Sequence, residues 1–440
     1  MNFTKPKEKY INNFNEFEKS LNGEADSLLH RIRKNAIEAF DRMDFPTLKN
    51  EDWKYTSVSP ILENNYVSKK DTAGSESFKA KIEDHLIKGL DVILLVFING
   101  SYSKELSRIP DLSGGVKIGS FAESARKDPA LFNEHFAKYA RLENGFIALN
   151  TAFAQDGAFI YIPDNYVLET PVHILNISGT RGANILSQPR NLIITGKSSR
   201  LCMIESYHST ENETNFTNVV TEISAGENSN IEFYKIQDES SRAYHVSKTQ
   251  AEQKKNSKFT SYTVTTGGGL VRNDLNTLLN AEGCESHFFG IYIGDGKQHI
   301  DNHTMIDHAK PRCLSNELYK GVMDDGSRAV FNGKVFVRPD AQKTNAYQSN
   351  KNILLSKEAH VDTKPQLEIY ADDVRCTHGA TVGQLDEESV FYLRSRGISK
   401  ENAVSVLIRA FANDIFEEIK TEQLKEHLNN MIFRKLKEIV

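Results

Sequence analysis

In "DDVRCTHGAT" (Asp372 to Thr381) a thiol, Cys376, and an imidazole, His378, stand two residues apart behind two carboxylates, in a chain with only four cysteines. On a β-strand the alternation of faces puts Asp372, Val374, Cys376 and His378 on one side and Asp373, Arg375 and Thr377 on the other. Sulfur and ring nitrogen then point the same way, and both are ligands for zinc or iron. A nearby cation would favour the thiolate. Spacing alone favours the plainer reading, a small buried thiol beside a hydrogen-bonded histidine. Even as a site the pair is incomplete, because zinc sites and iron–sulfur clusters take about four protein ligands. Cys202, Cys284 and Cys313 are scattered with no C-x-x-C pair, which argues against a zinc ribbon, a thioredoxin motif or a disulfide framework. The missing ligands would have to come from stacked neighbouring segments or from a second chain.

Other constellations are weaker. "KQHIDNHTMIDH" places His299, Asp301 and His303 on one strand face, with Asp307 and His308 beyond. That donor set suits zinc or iron, but a solvated face commonly carries it too. Asp324 and Asp325, in "DDG", read as a turn before they read as an acid/base pair. The one glycine cluster, "TTGGGLVRND" from Thr265, lacks the Gly-Lys-Ser/Thr ending with which a P-loop grips phosphates, so the chain is not expected to hydrolyse ATP. No G-x-S-x-G elbow or H-E-x-x-H helix is present. The formal net charge of −5 gives no electrostatic ground for nucleic acid or an acidic lipid surface as a partner. The longest apolar run, "VILLVFI" (Val92 to Ile98), is seven residues, where a membrane helix needs about 20. The opening residues carry no secretory signal, and the expected location is cytoplasmic.

The elements that must position these residues change character along the chain. Up to about residue 155 the pattern is helix-rich. "SLLHRIRKNAIEAF" aligns Leu28, Leu29, Ile32, Ala36 and Phe40, with Asp26 or Ser27 as cap. "VILLVFINGSYS" reads as a strand ending in an Asn-Gly turn, and "DPALFNEHFAKYA" as a helix capped by Asp128 with Pro129 in its first turn. From 156 to 385 helical periodicity vanishes. Short β-rich runs alternate with turns that resemble one another: "GKSSRL", "GENSNI", "KKNSKF", "GCESHF", "DGSRAV" and "KEAHVD". They recur at about 30-residue spacing with one longer gap, which implies a stacked β-solenoid, with a β-sandwich as the alternative. Coils that share one continuous core leave free backbone edges only at the two ends, so an uncapped end is a docking surface. Residues 386–440 are helical again, with Asp386 and Ser399 as caps, Gly397 as a stop, and Val404, Leu407, Ile408, Phe411, Ile415 and Ile419 on one apolar face. This unit either packs on the β region or offers its groove to a partner.

The run from Asn350 to Phe411, with "HIDNHT", "YKGV", "AVFNGKVFV" and "AQKTNAYQSN" upstream and "NEDWKYT" near Asn50, closely resembles the SufB/SufD family of iron–sulfur cluster assembly scaffolds. "DVRCTHGATVGQLDEE" resembles the SufD branch; after the histidine, SufB typically has an acidic residue where this chain has Gly379. The resemblance implies a mainly β fold, a right-handed parallel β-helix between helical terminal domains. It also implies a non-catalytic scaffold that pairs with SufB and with the ATPase SufC, whose ATP cycle would expose the Cys376/His378 strand. SufC would dock on the carboxy-terminal helices, which makes Phe391, Arg394, Arg396 and Phe411 candidate partner-binding residues. No cofactor is expected to be held tightly by the lone chain; a transient iron–sulfur cluster would be shared with SufB, and a homodimer is the alternative when SufB is absent. A SufB-like scaffold, a β-helix polysaccharide enzyme using Asp324/Asp325 or Asp372/Asp373, and a metal-binding module using His299 and His303 are the competing readings.

Overall fold

A computed structural model describes residues 4–21, 27–68, 75–179, 183–209 and 214–439. Its centre is a parallel β-solenoid of about eight turns. Two strands per coil feed two sheets, each ten strands wide among the described residues. In one sheet the strands Arg200–Ser209, Asn230–Asp238, Lys258–Thr265, Glu285–Gly294, Leu314–Met323, Asn345–Leu354 and Arg375–Gln384 follow one another in parallel register. The opposing sheet runs from Asn215–Ala225 to His360–Ile369. Alternate residues of both sheets meet inside, where Ile231, Phe259, Phe288, Tyr292, Tyr319 and Phe331 belong to one continuous core.

The resembling turns have a common physical cause. Asn165, Ser198, Asn228, Asn256, Gly283, Arg312 and Lys343 each adopt a left-handed backbone, with φ between 53° and 75°. Each donates its N–H to the carbonyl of the turn one coil further on, as Asn228 does to Lys255 at 2.8 Å and Asn256 to Glu282 at 3.0 Å. Short polar residues and glycine tolerate this conformation best, hence the Ser, Asn and Gly at this position in five of these seven turns. "DGSRAV" and "KEAHVD" belong to the opposite corner, before Arg328–Val337 and His360–Ile369. The one longer gap in the spacing is this change of corner.

The two ends differ. The first strands are closed off by antiparallel partners: Ile93–Ile98 by Ser101–Tyr102, across an Asn99–Gly100 turn with both φ values positive, and Ala158–Ile162 by Lys117–Ser120. Helices cover this region. Pro129–His135 has its Asp128 cap, and Leu28–Met43 is capped by Ser27; Asp26 lies outside the described residues. The buried stripe of Leu28–Met43 differs from the expected one. His30, Arg33, Ala36, Ala39 and Phe40 are buried while Leu28 is exposed. Arg33 can turn inward because its guanidinium donates twice to the Ala154 carbonyl, at 3.0 and 2.6 Å.

At the carboxy end, Lys400–Phe416 and Glu422–Ile439 lie on the outside of the first sheet. Ile408, Ile415, Phe416, Leu428 and Leu436 meet Ile236, Val264, Ile291 and Val322 there. The helical unit therefore packs on the β region. Lys320, nearly fully buried, pins it by donating to Asp414 Oδ2 and to the Phe411 carbonyl, both at 2.6 Å. Lys320→Met keeps the stem and removes both bonds. It is expected to cost about 1.5–3 kcal/mol, read as a lower urea midpoint and faster proteolysis of the carboxy-terminal helices; an unshifted midpoint would show that the apolar contact suffices.

Candidate functional site at the open end

Among the described residues no further strand pairs with the last coil. His360–Ile369 and Arg375–Gln384 stand at the ends of their sheets, each with one strand neighbour. Their outer N–H and C=O groups form open edges. Residues that belong to interior rows are laid bare here: Cys376, His378, Ala380 and Val382 continue the rows of Ala346, Gln348, Asn350 and Asn352, and Val361, Thr363, Pro365 and Leu367 those of Ala329, Phe331, Gly333 and Val335.

Cys376 and His378 thus share the inward face, as the alternation predicts. His378 is exposed, and Cys376 is half-buried against Val335, Val337, Ala341 and Ala346. That burial pushes the Cys376 thiol above its ordinary value, so in the lone chain it is held as thiol rather than as the reactive thiolate. Asp372 does not join them. The strand begins at Arg375, and Asp372 and Asp373 lie in the preceding corner, where the Asp373 carbonyl takes the Lys343 N–H. Gly379 faces open space.

The other cysteines do not reach this end. Cys284 and Cys313 stack in one corner of successive coils, buried, both donating to the Ala281 carbonyl. Cys202 lies against the apolar layer under the carboxy-terminal helices, its thiol pushed up to about 12 by burial. Among the described residues no group of three or more His, Cys, Asp or Glu side chains is arranged to hold a metal ion.

His299, Asp301 and His303 do share an outer face, but a different partner set holds them. Arg272 donates to Asp301 Oδ2 at 2.6 Å and to the Asp52 carbonyl at 2.8 Å, and lies 4.4 Å over the Trp53 ring. His303 approaches Asp301 at 3.1 Å, and His299 pairs with Thr56 at 2.8 Å. Burial alone would raise the Asp301 carboxyl; Arg272 and His303 hold it well below the usual range. The cluster clamps the segment Glu51–Thr56 to the solenoid, and sequence reasoning missed Arg272, whose neighbours in "GGGLVRND" gave no sign of it. His308 points inward to Ser315 at 2.9 Å, and Asp307 takes a bidentate pair from Arg338. Asp324 and Asp325 occupy a corner turn. Gly267 to Gly269 form another corner, where a Cβ on Gly267 would meet the Glu239 carbonyl at 2.2 Å, and a strand follows rather than a phosphate-binding helix.

Of the candidate partner-binding residues, Phe391, Arg394 and Arg396 are exposed on Glu387–Ser395 or just beyond it, Phe391 at 73%. Beside them a cleft of about 590 Å³ is lined by Leu355, Leu385, Val390, Phe391, Arg394 and Val404. Phe411 departs from this group. It is half-buried, with Lys320 4.8 Å over its ring, because it faces the sheet.

The chain is a parallel β-solenoid with helical amino- and carboxy-terminal regions, and comparison with known proteins gives it a family. The SufBD core domain of the SUF iron–sulfur cluster assembly system matches residues 177–411, and the SufBD amino-terminal region matches residues 4–174. A SufBD family iron–sulfur cluster assembly protein of Synechocystis is 32% identical over 94% of this chain and 92% of its own. The iron–sulfur cluster assembly protein SufD of Escherichia coli is 31% identical over 90% of each chain, and SufD of Bacillus subtilis 28% over 93% and 94%. This chain belongs to the SufBD family of iron–sulfur cluster assembly proteins. Among its described residues no helix is long and apolar enough to cross a membrane.

Proposed function

We propose that this chain is a SufD-type, non-catalytic scaffold subunit. Its open coil pairs with a SufB-type chain, its carboxy-terminal helices receive a SufC-type ATPase, and a nascent iron–sulfur cluster forms transiently at the scaffold–scaffold joint, with His378 as ligand or ligand-positioning group and Cys376 beside it. One observation carries the reading: an interior row containing a thiol and an imidazole is uncovered at an unpaired double-sheet edge. A partner adding the next coil would satisfy the free backbone groups and bring further ligands to a two-residue half-site. The exposed Phe391 and the neighbouring cleft, lined by both apolar and charged residues, support a second contact at the helices. Fuel would come from the ATPase, and the whole assembly would work in the cytoplasm.

The test is co-purification with SufB- and SufC-type partners, followed by iron–sulfur reconstitution. His378→Ala is expected to leave the complex intact and lower cluster yield on the order of tenfold; Cys376→Ala is expected to act less, since its thiol is held protonated. Unchanged yield in both variants, or a homodimer that persists in the presence of the SufB-type chain, would defeat the proposal.

A further inference from the structure

Directly beneath His378 lies a buried polar column that no apolar core requires. Glu317, Gln348 and His378 occupy one interior row on three successive coils, in exact cross-strand register. Glu317 and Gln348 are almost wholly buried, at 1% and 3% exposure. The Gln348 amide donates through Nε2 to Glu317 Oε2 at 2.7 Å, while its Oε1 is buried with no hydrogen-bond partner. Space for this amide is made by the opposite sheet: a Cβ on Gly333 would stand 2.3 Å from Gln348 Nε2. An orphaned buried carbonyl is costly and is normally satisfied. The residue next above it in the row is His378, whose ring carries an N–H donor.

Resting on the reading of His378 given above, we infer that Glu317 and Gln348 are positioning residues for His378. Glu317 anchors the amide nitrogen, and the amide oxygen accepts one ring N–H of His378. The imidazole is thereby held in one tautomer, with its other nitrogen's lone pair directed at the open end, where a metal ion would take it. Burial raises the Glu317 carboxyl to about 7; in either protonation state it still accepts from the amide, so the anchor does not depend on its charge. Ligating histidines commonly owe their orientation to such an outer partner, whose loss lowers affinity or activity about 10- to 100-fold.

The test uses the full chain with isotope-labelled histidine, with His378 assigned by comparison with His378→Ala. In the wild type the ring nitrogens are expected to report one dominant tautomer. Gln348→Met, nearly isosteric, and Gly333→Ala, which displaces the amide by contact while leaving both polar side chains chemically unchanged, are each expected to give the mixed tautomers of a free histidine. Glu317→Gln retains an acceptor and is expected to stay near wild type. In the reconstituted complex, Gln348→Met is expected to lower cluster yield on the order of tenfold. His378 ring signals that are the same in wild type, Gln348→Met and Gly333→Ala would overturn the inference, even if His378→Ala abolished the cluster. Ring signals that move while His378→Ala leaves cluster yield untouched would instead uphold the positioning and overturn the proposed function. Two variants at different sites keep the result readable if one fails to fold.

Discussion

Mild acid is expected to destabilise the fold steeply, by several kcal/mol between neutral pH and about pH 4.5. Three histidines are buried in neutral form. Burial lowers His173 from 6.5 to about 3 and His308 to about 4, and His208 lies well below its ordinary value. The unfolded chain takes up a proton at each near pH 6.5 while the folded chain does not, so stability is intact above that pH and falls as pH drops toward the folded values. His173 and His308 each contribute about 2–3 kcal/mol of loss by pH 4.5, and His208 acts in the same direction. His173 and His208 face His85 and His427, which burial also lowers, with Arg434 adding to the repulsion and Asp84, Asp238 and Lys81 close to the group. Glu317 works in the opposite sense, because its raised carboxyl, at about 7, favours the fold as pH falls from neutral toward 4.5. Three histidines outweigh one carboxylate. Urea unfolding at stepped pH reads the balance. His308→Gln should flatten the acid limb by about 2 kcal/mol, and Glu317→Gln should steepen it while stabilising the chain above pH 7. A stability curve level between pH 7 and pH 5 would mean that these rings accept protons in place.

Glu222→Ala is expected to be the most damaging single substitution at one ion pair, costing about 3–5 kcal/mol or more. Glu222 and Arg190 are fully buried, with Nη2 to Oε2 at 2.6 Å. The same carboxylate accepts the backbone N–H groups of Ala137, Tyr139 and Ala140, at 2.8 to 2.9 Å. One side chain thus joins the amino-terminal helical region to the solenoid. Its removal strands a guanidinium and three amides without water. Arg190→Met with Glu222→Leu, which leaves no orphan charge, should recover part of the loss. Thermal and urea unfolding measure it; a loss near 1 kcal/mol for Glu222→Ala would show that water reaches the site.

The solenoid was legible because its cause is local. A left-handed corner residue every coil favours Ser, Asn or Gly, and the strands between demand alternation, so the repeat is written into most of the turns. The caps Asp128, Ser27, Asp386 and Ser399 were legible for the same reason, each side chain accepting from an amide two or three residues on. Cys376 and His378 could be placed on one face by strand period alone. The shift of the buried stripe to His30 and Arg33 could not be foreseen, since Arg33 owes its burial to a carbonyl 121 residues away.

What the sequence determined by itself, then, is what short-range geometry dictates: coil period, helix ends, the shared face of thiol and imidazole, and the lack of a phosphate-gripping loop. Only the tertiary structure decided that among the described residues no further strand pairs with the last coil, that Asp301 pairs with Arg272, and that Glu317 and Gln348 stand under His378. Those facts depend on stacking. Residues about 30 positions apart become neighbours only when coil lies on coil, and no window along the chain holds both members of such a pair.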